Sequence, residues 1–148
     1  MKLKRIPAMA VVLGTTLAGL AVAQPAQAGN SYITAFCHAN FYTMTYSGSS
    51  TDRPMWCRIQ NGPAASNGYT GPADGYPGTN TWKGVQRYLT YEKVYFGPID
   101  GVPGPNTYKG IQSIARRSGG YDGPIDGIPG PNTWRGFDSA IRMMYFGL

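Results

Sequence analysis

Groups able to act as acid, base, thiol or metal ligand are few in this chain. Seven acids (Asp52, Asp74, Glu92, Asp100, Asp122, Asp126 and Asp138), one histidine (His38) and two cysteines (Cys37 and Cys57) supply them all. Glycoside hydrolysis needs two carboxylates facing each other across a cleft. A hydrolytic metal centre needs a ligand set that one His beside one Cys cannot complete. Asp74, Asp100 and Asp126 each precede glycine, the composition of a turn whose carboxylate accepts backbone amides, and Asp122 shares the turn of Asp126. These residues lead away from catalysis, from a metal and from any cofactor. Binding is the better expectation. Lys83, Lys109 and Arg135 hold one place in three copies of a repeat, and Tyr69, Tyr95 and Tyr121 hold another. Cations suit an anionic ligand, and tyrosine rings suit the faces of sugars, so these six are the candidate ligand-binding residues.

The repeat that positions them is legible without alignment to any other chain. Gly71-Pro72-Ala73-Asp74-Gly75 opens a segment that continues to Trp82-Lys83-Gly84-Val85. It recurs from Gly97-Pro98-Ile99-Asp100-Gly101 to Tyr108-Lys109-Gly110-Ile111, and again from Gly123-Pro124-Ile125-Asp126-Gly127 to Trp134-Arg135-Gly136-Phe137. Both steps are 26 residues without a gap. Ala73 and Thr79 depart from the Ile and Pro of the later copies, so the first loop is the least regular, as in a capping repeat.

Each copy reads as a loop followed by a helix. Proline lacks an amide donor and glycine suits tight turns, so the Gly/Pro half is not helical. Asn-Thr then offers candidate N-caps, and a helical period of apolar residues follows. Trp82, Val85 and Leu89 form one stripe; Tyr108, Ile111 and Ala115 form the next; Trp134, Phe137, Ile141 and Met144 form the third. Helices over about 81–93, 107–118 and 133–145 are expected to close into a three-helix core.

The rest of the chain has a different composition. Met1-Lys2-Leu3-Lys4-Arg5, an apolar run from Ala8 to Ala23, and Ala26-Gln27-Ala28 follow the pattern of a secretory signal peptide over residues 1–28. The apolar run is short for a membrane span. Lys2, Lys4 and Arg5 are three of the 13 cations; the other 10 stand against 7 acids, a net charge of +3 rather than +6. Only Arg116 and Arg117 are adjacent, unlike the clustered cations of a nucleic-acid surface. Residues 29–62 form an N-terminal segment in which export makes a Cys37–Cys57 disulfide the expected state. Its β-forming stretches, Tyr32 to Phe36 and Phe41 to Tyr46, are expected to pair as a hairpin. Asn61 to Asn67 reads as a polar linker, leading to a repeat domain over residues 63–148.

The two later loops, Gly97 to Thr107 and Gly123 to Thr133, resemble the Gly-x-x-Asp-Gly-x-x-Gly-x-x-Thr loops of the peptidoglycan-binding domain family, a three-helix module carried by bacterial cell-wall hydrolases. The resemblance covers about Thr81 to Leu148. Gly84, Gly110 and Gly136 stand where that family usually has alanine, and its aromatic-Gln pair is replaced by Tyr88-Leu89 and Ile114-Ala115. The resemblance implies a mainly α fold: a compact three-helix domain with Gly/Pro/Asp loops, behind a small disulfide-stapled segment. It also implies a secreted, non-catalytic protein that binds peptidoglycan or an attached anionic polymer. The competing expectations are a secreted inhibitor or toxin-like effector tethered to the wall by the repeats, and a small wall hydrolase.

Overall fold

The computed structural model describes residues 33–42, 46–118 and 120–148. The expected signal peptide and Tyr32 lie outside them, as do residues 43–45 of the second stretch proposed for the hairpin. The described residues are mainly helical. Helix α1 spans Ala35–Asn40, α2 Arg53–Ile59, α3 Thr79–Tyr91, α4 Pro105–Arg117 and α5 Pro131–Ile141. Two of them end in π-turns: Gln60–Ala64 continues α2, and Arg142–Phe146 continues α5.

Helices α3, α4 and α5 each begin two residues before the expected start. Their N-caps are Gly78, Gly104 and Gly130, not the Asn-Thr pair. Pro105 and Pro131 occupy the first helical position, where a missing amide costs nothing and the fixed φ already suits a helix. The threonines therefore fall inside the first turn, where Thr81, Thr107 and Thr133 are buried. Thr133 Oγ1 accepts the Gly130 amide at 3.4 Å, so the cap is made from inside the helix.

The principal departure from expectation is the number of helices in the core. Helices α2 to α5 begin at 53, 79, 105 and 131, so α2 obeys the same 26-residue step. The fourth residue of each is Trp56, Trp82, Tyr108 and Trp134, and these rings touch in a closed cycle. Their centroids lie 5.0 Å apart for Trp56–Trp82, 6.2 Å for Trp82–Tyr108, 6.1 Å for Tyr108–Trp134 and 6.1 Å for Trp134–Trp56. Three of the four contacts are edge-to-face and Trp134–Trp56 is tilted; edge-to-face pairs add about 0.5–1.5 kcal/mol each to the area they bury. The four helix N-termini thus converge on one aromatic ring. The repeats form a closed, pseudo-fourfold ring, not a three-helix bundle.

Packing below the aromatics follows the helical period. Met55 and Ile59 of α2, Val85 and Leu89 of α3, Ile111 and Ala115 of α4, and Phe137 and Ile141 of α5 share one buried cluster. The boundary expected between residues 62 and 63 falls inside the α2 π-turn, and the expected linker is largely helical with Gly62, Pro63 and Ala64 buried. Pro63 explains the wide turn. Its nitrogen cannot donate and its ring crowds the preceding turn, so the helix expands around it instead of ending.

Gly84, Gly110 and Gly136 are where neighbouring units approach. An added Cβ would lie 2.9 Å from the Ala64 Cβ, 3.1 Å from Leu89 Cδ1 and 2.7 Å from the Gly120 oxygen, respectively. In α2 the equivalent position is Arg58. It spans the seam between α2 and α5 and binds Asp138 of α5 at 2.8 Å, with both side chains fully buried. Gly48, at φ +78°, packs beside Pro131 and Arg135. That place matches the one Gly127, at φ +82°, holds beside Pro105. The segment before α2 therefore serves as the fourth loop.

Helix α1 lies outside the ring. Thr34 caps it through Cys37 N–H at 3.3 Å and donates both its amide and its hydroxyl to the Ala73 carbonyl at 3.0 Å. The Cys37–Cys57 disulfide fixes α1 to α2, with the two Cα atoms 5.3 Å apart. Ala73, the irregular residue of the first loop, is thus covered by the N-terminal segment.

Candidate functional site

Each loop is held by one glutamine from the preceding helix. Gln86 and Gln112 are the eighth residues of α3 and α4, Gln60 takes the same place in the first position of the π-turn that continues α2, and all three are fully buried. Their Oε1 atoms accept the amides of Gly75, Gly101 and Gly127 at 2.8, 2.8 and 2.9 Å. Their Nε2 atoms donate to Oδ1 of Asp74, Asp100 and Asp126 at 3.1, 2.8 and 2.9 Å. The same nitrogens also donate to the carbonyls of Tyr76, Val102 and Ile128. A primary amide suits this place because it offers an acceptor and donors together. The loop glycines at φ +80°, +79° and +82° adopt a conformation that L side chains rarely take.

The aspartates complete the same turn. Each Oδ1 also accepts the amide two residues ahead, at 2.9 Å in all three copies. Hydrogen bonds from Gln86 and from the Val102 amide hold the Asp100 carboxyl below its ordinary range, and Lys83 adds to this. Gln112, the Ile128 amide and Lys109 do the same for Asp126. These carboxylates are stabilised as anions, with their lone pairs directed into the loop.

Tyr69, Tyr95 and Tyr121 are buried, and each donates its hydroxyl to a proline carbonyl three residues ahead, at 2.7 Å. Their rings cover Gly71, Gly97 and Gly123, where a Cβ would come within 2.6 Å of the hydroxyl oxygen. Contact with a glycan through these rings is therefore blocked by the loops they support. The other half of the candidate set is accessible: Lys109 and Arg135 are exposed and Lys83 is half-buried. The stem of Lys83 lies against Gly101 of the following loop, and Arg135 donates to Asn132 Oδ1 at 3.1 Å. In α2 this position is Cys57, so the disulfide takes the fourth place of the ring.

Beside these cations, Tyr76, Val102 and Ile128 project from the three loop tips and are largely exposed. An open groove of about 350 Å³ runs along the third loop between Ile128, Asp126 and the first turn of α5 at Asn132 and Thr133. Arg53 lies between the rings of Phe36 and Tyr76, 3.7 and 4.1 Å from their centroids, and donates to the Asp74 carbonyl at 2.9 Å. Among the described residues no group of three or more His, Cys, Asp or Glu side chains could hold a metal ion. Nor, among the described residues, is any helix long and apolar enough to cross a membrane.

The loop-reading glutamines were missed in the sequence, although Trp56-Cys57-Arg58-Ile59-Gln60 sits one step before Trp82-Lys83-Gly84-Val85-Gln86. A closed ring of four aromatic-capped helices, with three glutamine-held loops on its rim, defines the architecture. Compared with known proteins, the chain matches no family model, no curated protein and no solved structure.

Proposed function

We propose that this is a secreted, non-catalytic protein that binds the bacterial cell wall, at peptidoglycan or at an anionic polymer attached to it. The observation that carries this reading is the threefold recurrence of one accessible cation, Lys83, Lys109 and Arg135, at the fifth residue of three successive helices. A surface that repeats the same charge in the same loop setting suits a ligand that repeats its own anionic groups. The resemblance of the loops to those of peptidoglycan-binding domains supports the same class of ligand. Export fits the disulfide, which forms and persists in oxidising surroundings.

Sedimentation with washed sacculi, before and after removal of anionic wall polymers, tests it. The intact chain should pellet, and the triple variant Lys83→Ala/Lys109→Ala/Arg135→Ala should lose most of that binding while remaining folded. A chain left wholly in the supernatant would overturn the reading. A cleared band in a cell-wall gel would overturn its non-catalytic part.

A further inference from the structure

The cations proposed above lie near the N-terminal ends of the helices; the opposite end carries a different surface. Helix α3 has 13 residues, which places its last residue, Tyr91, roughly 20 Å from the rim. Around the turn that follows, side chains depart from the repeat. Tyr91 is 75% exposed, where the other copies have Ala65, Arg117 and Met143. Phe96 is 87% exposed, where they have Thr70, Asp122 and Leu148. Between them Lys93 is exposed and adopts φ +58°, the sole non-glycine residue at positive φ among those described. The corresponding positions are Asn67, Gly119 and Tyr145.

None of these three side chains is buried in the core. Both rings face solvent, and a lysine in the left-handed region is less stable there than the glycine of the next copy. The neighbouring acid is already neutralised: Glu92 accepts Arg117 Nη1 at 3.4 Å on its carboxylate and at 3.1 Å on its carbonyl. Lys93 therefore leaves a net positive charge on a turn bracketed by two bare aromatic faces.

We infer that the Tyr91–Phe96 turn is a second binding surface, for the sugar backbone of a carboxylate-bearing glycan. This deepens the wall-binding reading and rests on it for the identity of the polymer. Pyranose faces stack on Tyr91 and Phe96, and Lys93 pairs with a carboxylate carried by a sugar. A glycan matches the pairing of exposed rings with an unneutralised cation, whereas an apolar partner would leave Lys93 buried without a counter-charge.

Calorimetric titration of the disulfide-bonded chain with stem-free glycan strands, released from sacculi by an amidase, tests this inference. The double variant Tyr91→Ala/Phe96→Ala should weaken binding at least tenfold without change in helical content. Lys93→Gly should weaken it severalfold while raising the melting temperature, an opposition that a purely structural lysine would not produce. Unchanged affinity in the double variant would overturn the inference, as would failure of the unaltered chain to bind the strands. Sacculus sedimentation in parallel separates the two readings. Pelleting with sacculi without strand binding rejects the stacking surface and keeps wall binding; strand binding without pelleting does the reverse.

Discussion

Arg58 Nε donates to Asp138 Oδ1 at 2.8 Å across the only seam of the ring that the chain does not cross in sequence order, 80 residues apart. Arg142 lies 3.2 Å from the other carboxylate oxygen. Asp138 stands where the other helices carry the loop-reading glutamine, and Arg58 stands where they carry glycine. One position on each side of the seam thus departs from the repeat, and the two departures meet.

Asp138 serves two arginines, so removing it takes the carboxylate from both, whereas removing Arg58 leaves Asp138 with Arg142. Asp138→Leu should therefore destabilise the protein by about 3–5 kcal/mol in urea unfolding. Arg58→Met with Asp138→Leu should recover much of that loss, because a packed apolar pair carries no desolvation cost. A double variant as unstable as the single one would show that the seam depends on charge, not on closure.

The glutamines make a prediction of similar kind. Gln86→Leu removes the acceptor of the buried Gly101 amide and should cost about 1–3 kcal/mol. Its clearest signature is the titration of Asp100 followed by carboxyl NMR. The Asp100 pKa should rise toward its ordinary value, while that of Asp126, held by Gln112, should stay low.

Acid stability follows from the same shifts. Asp100 and Asp126 have folded pKa values below their unfolded ones, so the stability they contribute is complete above the ordinary carboxyl range. It is lost as pH falls through the lower folded values. Thermal melting should therefore change little from pH 7 to 5 on their account and decline in more acidic solution. Gln86→Leu and Gln112→Leu together should flatten that decline.

Two sets of glycines should respond oppositely to substitution. Gly84→Ala and Gly136→Ala push a Cβ into Ala64 and into the Gly120 backbone, and should destabilise despite the better helix propensity of alanine, worth about 1 kcal/mol. Gly110→Ala meets a Leu89 methyl at 3.1 Å and the Val94 carbonyl at 3.3 Å, longer contacts than at the other two sites, and should be milder. At the caps, Gly104→Ser meets open space on an extended backbone and should stabilise by a few tenths of a kcal/mol. Melting temperatures of the four variants rank these effects.

Reduction should release α1 without opening the ring. The disulfide closes a 20-residue separation and contributes about 3 kcal/mol in the chain-entropy model. Cys37→Ser/Cys57→Ser should melt lower yet keep the aromatic cycle, which near-ultraviolet circular dichroism reports.

The three loop copies and helices α3 to α5 are readable in the sequence because each keeps both halves of its unit. The fourth unit is not, because its loop half, Ser47 to Asp52, has lost the Gly-Pro and Asp-Gly pairs and retains only Gly48 as a turn glycine. Its helix half keeps Trp56 and Gln60, which become a signal only when the 26-residue step is carried upstream of Gly71. The cap positions were misread because Asn-Thr is the commoner starting pair. Proline at the first helical position moves the start ahead of it. The buried tyrosines were ambiguous for another reason: no periodicity distinguishes a ring that covers its own loop from one that awaits a sugar.

A toroid has a fixed census. Open stacks of repeats gain or lose members by duplication while each junction keeps its shape. Here the angle between successive members is set by their number, and a fifth copy would alter every junction at once. Variation in such a protein is therefore channelled away from copy number and into the solvent-facing positions of individual units, where Tyr91, Lys93 and Phe96 already break the pattern.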